Sequence, residues 1–242
     1  MTTDSHNITV SGLSVEVVRK NIKNLHLGVY PPLGRVRVAA PTTVSDDAVR
    51  LAVVGKLGWI KRQRAKFQAQ PRQSQRRMVS GESHYFMGQR YRLRVVEGST
   101  PMRVALRGKA SLDLFVRPET STGRREELLQ AFYRAELKNL IPPLLDKWQP
   151  ILGVEANAWG IKKMKTKWGT CNIAARRLWL NLELAKKPIQ CLEYILVHEL
   201  LHLIERHHND RFRSLMDQYL PQWQAHRDEL NSSLLADERW DY

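Results

Sequence analysis

Up to about residue 120, apolar positions recur at every second residue in short runs. The stretches "ITVSGLSVEVV", "LHLGVY", "RVRVAAP", "HYFMGQRYRLRVVEG", "MRVALRG" and "ASLDLFVRP" each carry alternating or β-branched residues and are bounded by Gly, Pro, Asn or Ser. That pattern predicts half-buried antiparallel strands. One helix interrupts them. Ser45 is its expected N-cap, Asp46 and Asp47 sit in the first turn where negative charge is favoured, and Leu51, Val54, Leu57 and Trp59 lead into a basic cluster.

From Arg124 the apolar period lengthens: Leu128, Leu129, Phe132, Leu137, Leu140 and Ile141 form a helical stripe, with Pro142 and Pro143 expected to break or kink it. The segment Thr120 to Gly123, "TSTG", is therefore the expected boundary between a β-rich N-terminal part with one basic helix (1–120) and an α+β part (124–242). No internal repeat or low-complexity tract is visible. Within the second part, "KWGTCNIAARRLWLNLEL" reads as two strands around a polar turn. A helix is expected after "KKP", with Pro188 at its start and Ile189, Leu192, Ile195, Leu196, Leu203 and Ile204 as its buried stripe.

Composition narrows the setting. At 242 residues the chain can bury a substantial core without disulfides, and its two cysteines, Cys171 and Cys191, read as reduced, buried hydrophobes of a cytosol-like compartment. The first residues, "MTTDSHNITV", lack the basic and apolar segments of a secretory signal, and no stretch approaches eighteen uninterrupted apolar residues. A cytoplasmic protein with no membrane span is expected. The net charge of +15 favours contact with polyanions, and the cluster from Ile60 to Arg77 is a candidate nucleic-acid or nucleotide-facing strip, although a solvated helix surface is the commoner origin of such a run.

The chemistry concentrates in "VHELLHLIERHHND", residues 197–210. On a helix His198 and His202 project from one face, one turn apart, and can converge on one small ion. Glu199 between them can reach a metal-bound water without serving as a ligand. Catalytic zinc needs a third protein ligand and one open position. His208, ten residues after His198, has the short reach and the imidazole, and the spacing is that of metzincin proteases, with Glu205 where those have Gly. His207 is the adjacent rival, and Asp217, Asp228 and Glu229 are later ones. Asn209 reads as the N-cap of a following helix bearing Phe212, Leu215, Met216 and Tyr219. Asp210 or Glu205 can receive a ligand N–H. Tyr219 and His226 are candidates to polarise a substrate oxygen, though packing is the ordinary role of such residues.

These residues resemble the YgjP-like metallopeptidase family, a bacterial zincin group related to SprT-like proteins. The likeness runs from "WGTCNIAARRLWLNLELAKKPIQCLEYILVHELLHLIERHHNDRFRSLMDQYLPQW" upstream through "RVRVAAP", "WIKRQRAKF" and "GESHYFMGQRYRLRV". What it implies is an α+β fold with a zincin-like catalytic half, an HExxH active-site helix and a β-rich N-terminal half. It further implies zinc at His198, His202 and His208, with Glu199 as general base. Two departures stand out: Thr170 occupies the place of Ser in "WGSC", and His207 that of the Asn before the third ligand.

The expected activity is zinc-dependent hydrolysis of a peptide or protein, with the metal-bound water deprotonated by Glu199. The strand around Trp168, Gly169 and Thr170 is the candidate to align an extended substrate by main-chain pairing. Imidazole ligands also accept nickel, cobalt or iron. Two other readings use the same residues: hydrolysis of a nucleotide phosphoanhydride, and a nucleic-acid-associated protein whose zinc is structural.

Overall fold

Ser11 and Gly12 both take positive φ, 47° and 76°, and close a two-residue turn between strands β1 (Ser5–Val10) and β2 (Leu13–Lys20). Turns of this hand match the twist of the strands they join. The structure is a computed structural model that describes residues 5–30, 34–69, 76–98, 101–164 and 167–232; residues 70–75 of the basic cluster lie outside them. Chain contacts divide it into two units, one reaching to Gln75 and the other spanning Arg76–Ser233.

In the first unit β2 pairs in parallel with β4 (Arg35–Pro41), and β3 (His26–Tyr30) pairs antiparallel with β4, giving the order β1-β2-β4-β3. Alternation places Val15, Val17, Val36 and Val38 on the buried face. Helices α1 (Asp46–Val54) and α2 (Leu57–Ala69) cover that face with Val49, Val53 and Ile60. Ser45 caps α1 as expected, its side chain accepting from the Ala48 N–H at 3.3 Å. The single expected helix is two, because the turn at Gly55 and Lys56 interrupts it where a glycine supplies no side-chain contact.

The second unit opens with the same pattern. Strands β5 (Ser83–Phe86), β6 (Gln89–Glu97), β7 (Arg103–Arg107) and β8 (Ser111–Val116) form a sheet in the order β5-β6-β8-β7, with antiparallel, parallel and antiparallel pairings. Met87 and Gly88, at φ 47° and 77°, repeat the first turn. A serine-capped helix again follows, Ser121 accepting from Arg124 N–H. The repeat is one of backbone topology and turn geometry, which is why reading residue identities finds none.

That helix, α3 (Thr122–Leu152), runs through Pro142 and Pro143 uninterrupted, contrary to expectation. Its buried stripe, Leu129, Tyr133, Leu137, Ile141, Leu145, Trp148 and Leu152, continues across the prolines. The carbonyls that lose their partners belong to Lys138 and Asn139, both exposed, so water can satisfy them. The segment Thr120–Gly123 leads into α3, with Ser121 as its N-cap, and lies inside the second unit, where β5–β8 share one core with the helices.

A second sheet carries the region of interest. β9 (Ala158–Lys162) pairs in parallel with β11 (Arg177–Asn181), which pairs antiparallel with β10 (Gly169–Asn172), so β10 is an edge strand. "LEL" does not extend β11; it forms a 3₁₀ helix, Leu182–Lys186, capped by the Asn181 side chain on Glu183 N–H. Then come α4 (Ile189–Leu201), α5 (Asp210–Tyr219) and α6 (Trp223–Ser232). The described residues thus form a mixed α+β fold with six α-helices, none long and apolar enough to cross a membrane.

Candidate metal centre

Helix α4 is buried almost all round, with Cys191, Leu192, Ile195, Leu196, Val197, Leu200 and Leu201 in the core. Its last turn carries His198 and Glu199. His202 is the C-cap rather than a residue of the helix, but its backbone remains right-handed helical, so its ring still follows that of His198. Beyond it the chain tightens: the N–H groups of Leu203 and Ile204 donate to the carbonyls of Leu200 and Leu201 at 3.0 and 2.9 Å.

The return loop brings the third histidine back. Its turn is organised by Glu205, whose carboxylate accepts the His207 N–H at 3.0 Å and whose carbonyl accepts from Nδ1 of His202 at 3.1 Å. Asn209 then starts α5, its side chain accepting the Phe212 N–H at 2.9 Å, as expected of a cap. Between these anchors His208 meets the other two rings. Ligand nitrogens of His198, His202 and His208 all lie within 4.8 Å of one another, and Nε2 of His208 stands 2.9 Å from Nε2 of His198.

His207 is exposed and outside this cluster. Asp217 accepts from Trp223 Nε1 at 2.7 Å, Asp228 from Arg227, and Glu229 from Gln190 at 3.2 Å, so the later carboxylates have other partners. Among the described residues no other His, Cys, Asp or Glu group forms a cluster of this kind.

One aromatic ring supports all three imidazoles. Phe212, buried on the first turn of α5, has its centroid 4.9 Å from each of the three ring centroids. The expected stripe of α5 includes Phe212, but nothing in the sequence marks it as the common backing of the cluster.

The donor set suits a cation. Burial lowers the pKa of His198 to about 3, helped by the neighbouring His202 and His208, and burial lowers that of His202. Both therefore offer neutral nitrogens at neutral pH. With Nδ1–H of His202 given to Glu205, its Nε2 lone pair is left for a ligand bond. A set of three imidazoles fits zinc, nickel, cobalt or iron(II).

Glu199 is 5% exposed, and burial raises its pKa to about 8 against the opposing charge of Lys167. It abuts β10. A cavity of about 490 Å³ lies here, lined by Trp168, Gly169 and Thr170 together with Glu199 and the three histidines. Lys167, Cys171, Ile173, Ile195 and Arg206 also line it and were not among the site residues expected from sequence. Ile195 was legible in principle, three residues before His198 on the same helical face. Tyr219 does not line this cavity; it packs on the hydrophobic core. His226 caps no part of the cavity either, and its carbonyl lies 3.8 Å from Cys191 Sγ.

Loop and edge strand are pinned by Asn181. Its buried amide donates to the carbonyls of Met164 and Lys167 at 2.7 and 2.8 Å, while its N–H donates to the Trp168 carbonyl at 2.9 Å. Residues 167 and 168 are thereby held at the mouth of the cavity.

Three clustered imidazoles with a buried carboxylate one residue along the helix define a class of metal-binding hydrolase sites. The particular family is that described as YgjP-like, metallopeptidase domain, which matches residues 23–233, and the chain belongs to it. Membership makes the protein a metallopeptidase-like hydrolase with a metal cofactor. No curated protein matches the chain.

Proposed function

We propose that the protein is a zinc-dependent peptidase of zincin-like architecture, with His198, His202 and His208 as ligands and Glu199 as general base. The observation that carries this reading is the convergence of three imidazole nitrogens within 4.8 Å beside a buried carboxylate. A divalent cation held there would supply a Lewis acid to polarise a carbonyl and acidify water, and its charge would favour the carboxylate form of Glu199.

Glu199 takes the proton of the attacking water as oxygen bonds to the carbonyl carbon. It returns that proton to the nitrogen as the C–N bond breaks, giving an acid and an amine. The edge of β10, unpaired among the described residues, aligns the substrate main chain, with Thr170 in the strand and Trp168 just before it. The two cysteines are free thiols, which supports a reducing, cytoplasmic setting.

Metal analysis paired with peptide and nucleotide screens on wild type and Glu199→Gln tests the proposal. Expected are about one equivalent of zinc in both proteins and peptide cleavage in wild type alone. Phosphate or pyrophosphate release from nucleotides with no peptide cut would instead establish the phosphoanhydride reading. Salt-sensitive nucleic-acid binding that survives Glu199→Gln, without turnover, would establish the nucleic-acid reading.

A further inference from the structure

The cavity beside Glu199 is electrostatically one-sided. Besides Glu199 itself, its charged lining residues are Lys167 and Arg206. Both are exposed, and among the described residues neither is held in an ion pair. Several cations on the neighbouring elements are neutralised: Lys186 pairs with Glu183 at 2.7 Å, Arg213 with Asp210 at 2.7 Å and Arg211 with Glu205 at 3.9 Å. The one acid on the His202 to His208 loop, Glu205, is thus engaged by Arg211 and by the His207 N–H. Two exposed cations against one buried acid, Glu199, which Lys167 faces, leave the wall of the cleft with an excess of positive charge.

The rest of the lining is graded along β10. Lys167 precedes Gly169 by two residues, and Gly169 is the residue that abuts Glu199. Beyond it come Thr170, Cys171 and the exposed Ile173, with Ile195 beneath from α4. Lys167 lies two residues before Gly169, just ahead of β10, and Ile173 lies just past the other end of the strand, at the start of the turn to β11.

We propose that this cleft selects peptides carrying an acidic side chain or terminal carboxylate beside the bond to be cut, read by Lys167 and Arg206, with an apolar residue toward Ile173. The inference rests on the peptidase reading above. A peptide is favoured over a nucleotide because the cleft combines these cations with an unpaired strand edge and apolar side chains, which match an extended chain.

The test is a set of matched peptides with Glu, Gln or Lys at the position next to the cleaved bond, assayed with wild type, Lys167→Glu and Arg206→Glu. Metal content and thermal unfolding of each variant verify that the site is assembled. Wild type is expected to prefer Glu over Gln by about tenfold in kcat/KM, a preference weakened by salt and reversed toward Lys by either substitution. Binding of the same peptides to Glu199→Gln, measured by fluorescence anisotropy, should follow the same order. Equal cleavage of Glu and Gln peptides, or an order unmoved by both charge reversals, overturns the inference while leaving the peptidase reading standing. Cleavage of no peptide overturns both, and nucleotide hydrolysis in its place assigns the two cations to phosphate.

Discussion

Gly169 and Glu199 are in contact so close that a Cβ at residue 169 would lie 2.6 Å from Oε1, 2.7 Å from Cγ and 2.9 Å from Cδ of the glutamate. The whole end of the side chain, rather than one flexible atom, would have to move. Gly169→Ala should therefore lower kcat by at least about tenfold through a misplaced base, with zinc content unchanged. Steady-state kinetics with metal analysis checks this, and full activity would mean that the carboxylate position is not critical.

Replacing the carboxylate itself is the sharper test. Glu199→Gln keeps size and burial but removes the proposed proton acceptor, so turnover should fall by about 10² to 10⁴-fold. Zinc stoichiometry should stay near that of wild type. A variant that loses metal and activity together would make Glu199 a structural group.

The ligand assignment separates two adjacent histidines. His208→Ala should cut zinc affinity at least about a hundredfold, since on the proposed assignment it removes one of three ligands, whereas His207→Ala should leave it within about twofold. Competition with a chromogenic chelator measures both.

Phe212 links stability to the centre. Removing a buried phenyl ring costs about 3 to 5 kcal/mol, so Phe212→Ala should lower the unfolding free energy by that order. Because the ring backs all three imidazoles, Phe212→Leu, which keeps most of the volume, should still weaken zinc binding measurably. An unchanged zinc affinity in the Leu variant would reduce Phe212 to a packing residue.

The metal-free protein has a pH signature. Burial raises the Glu199 pKa from 4.5 to about 8, so between these values the native state keeps a proton that the unfolded chain has released. Stability from this group falls as pH rises through that window. His198 acts in the opposite sense: its pKa drops from 6.5 to about 3, the unfolded chain holds the extra proton, and stability falls as pH falls from 6.5 toward 3. Glu199→Gln mimics the protonated acid. Its metal-free form should become more stable than metal-free wild type as pH rises from about 5 to 8, by up to a few kcal/mol, in denaturant titrations.

How far the chain could be read depended on the range of the interaction involved. The face shared by His198 and His202, the Ser45 and Asn209 caps and the alternation of the N-terminal strands follow from repeats of two or about four residues, and each was legible. Short apolar runs were less so: β9 went unseen, and "LEL" became a 3₁₀ helix because the Asn181 side chain caps it. Prolines 142 and 143 misled because their local cost is offset by a buried stripe that only packing creates.

The sequence by itself therefore determined which side chains could hold a metal, since ligand chemistry and helical spacing are properties of a few neighbouring residues. Tertiary structure decided between His207 and His208 as the ring in the cluster, set Gly169 against Glu199 and put Phe212 behind three rings. It also turned Lys167 and Arg206 toward one cavity. Those relationships join residues distant along the chain, or depend on the path of a returning loop, and are set by which surfaces exclude water from one another.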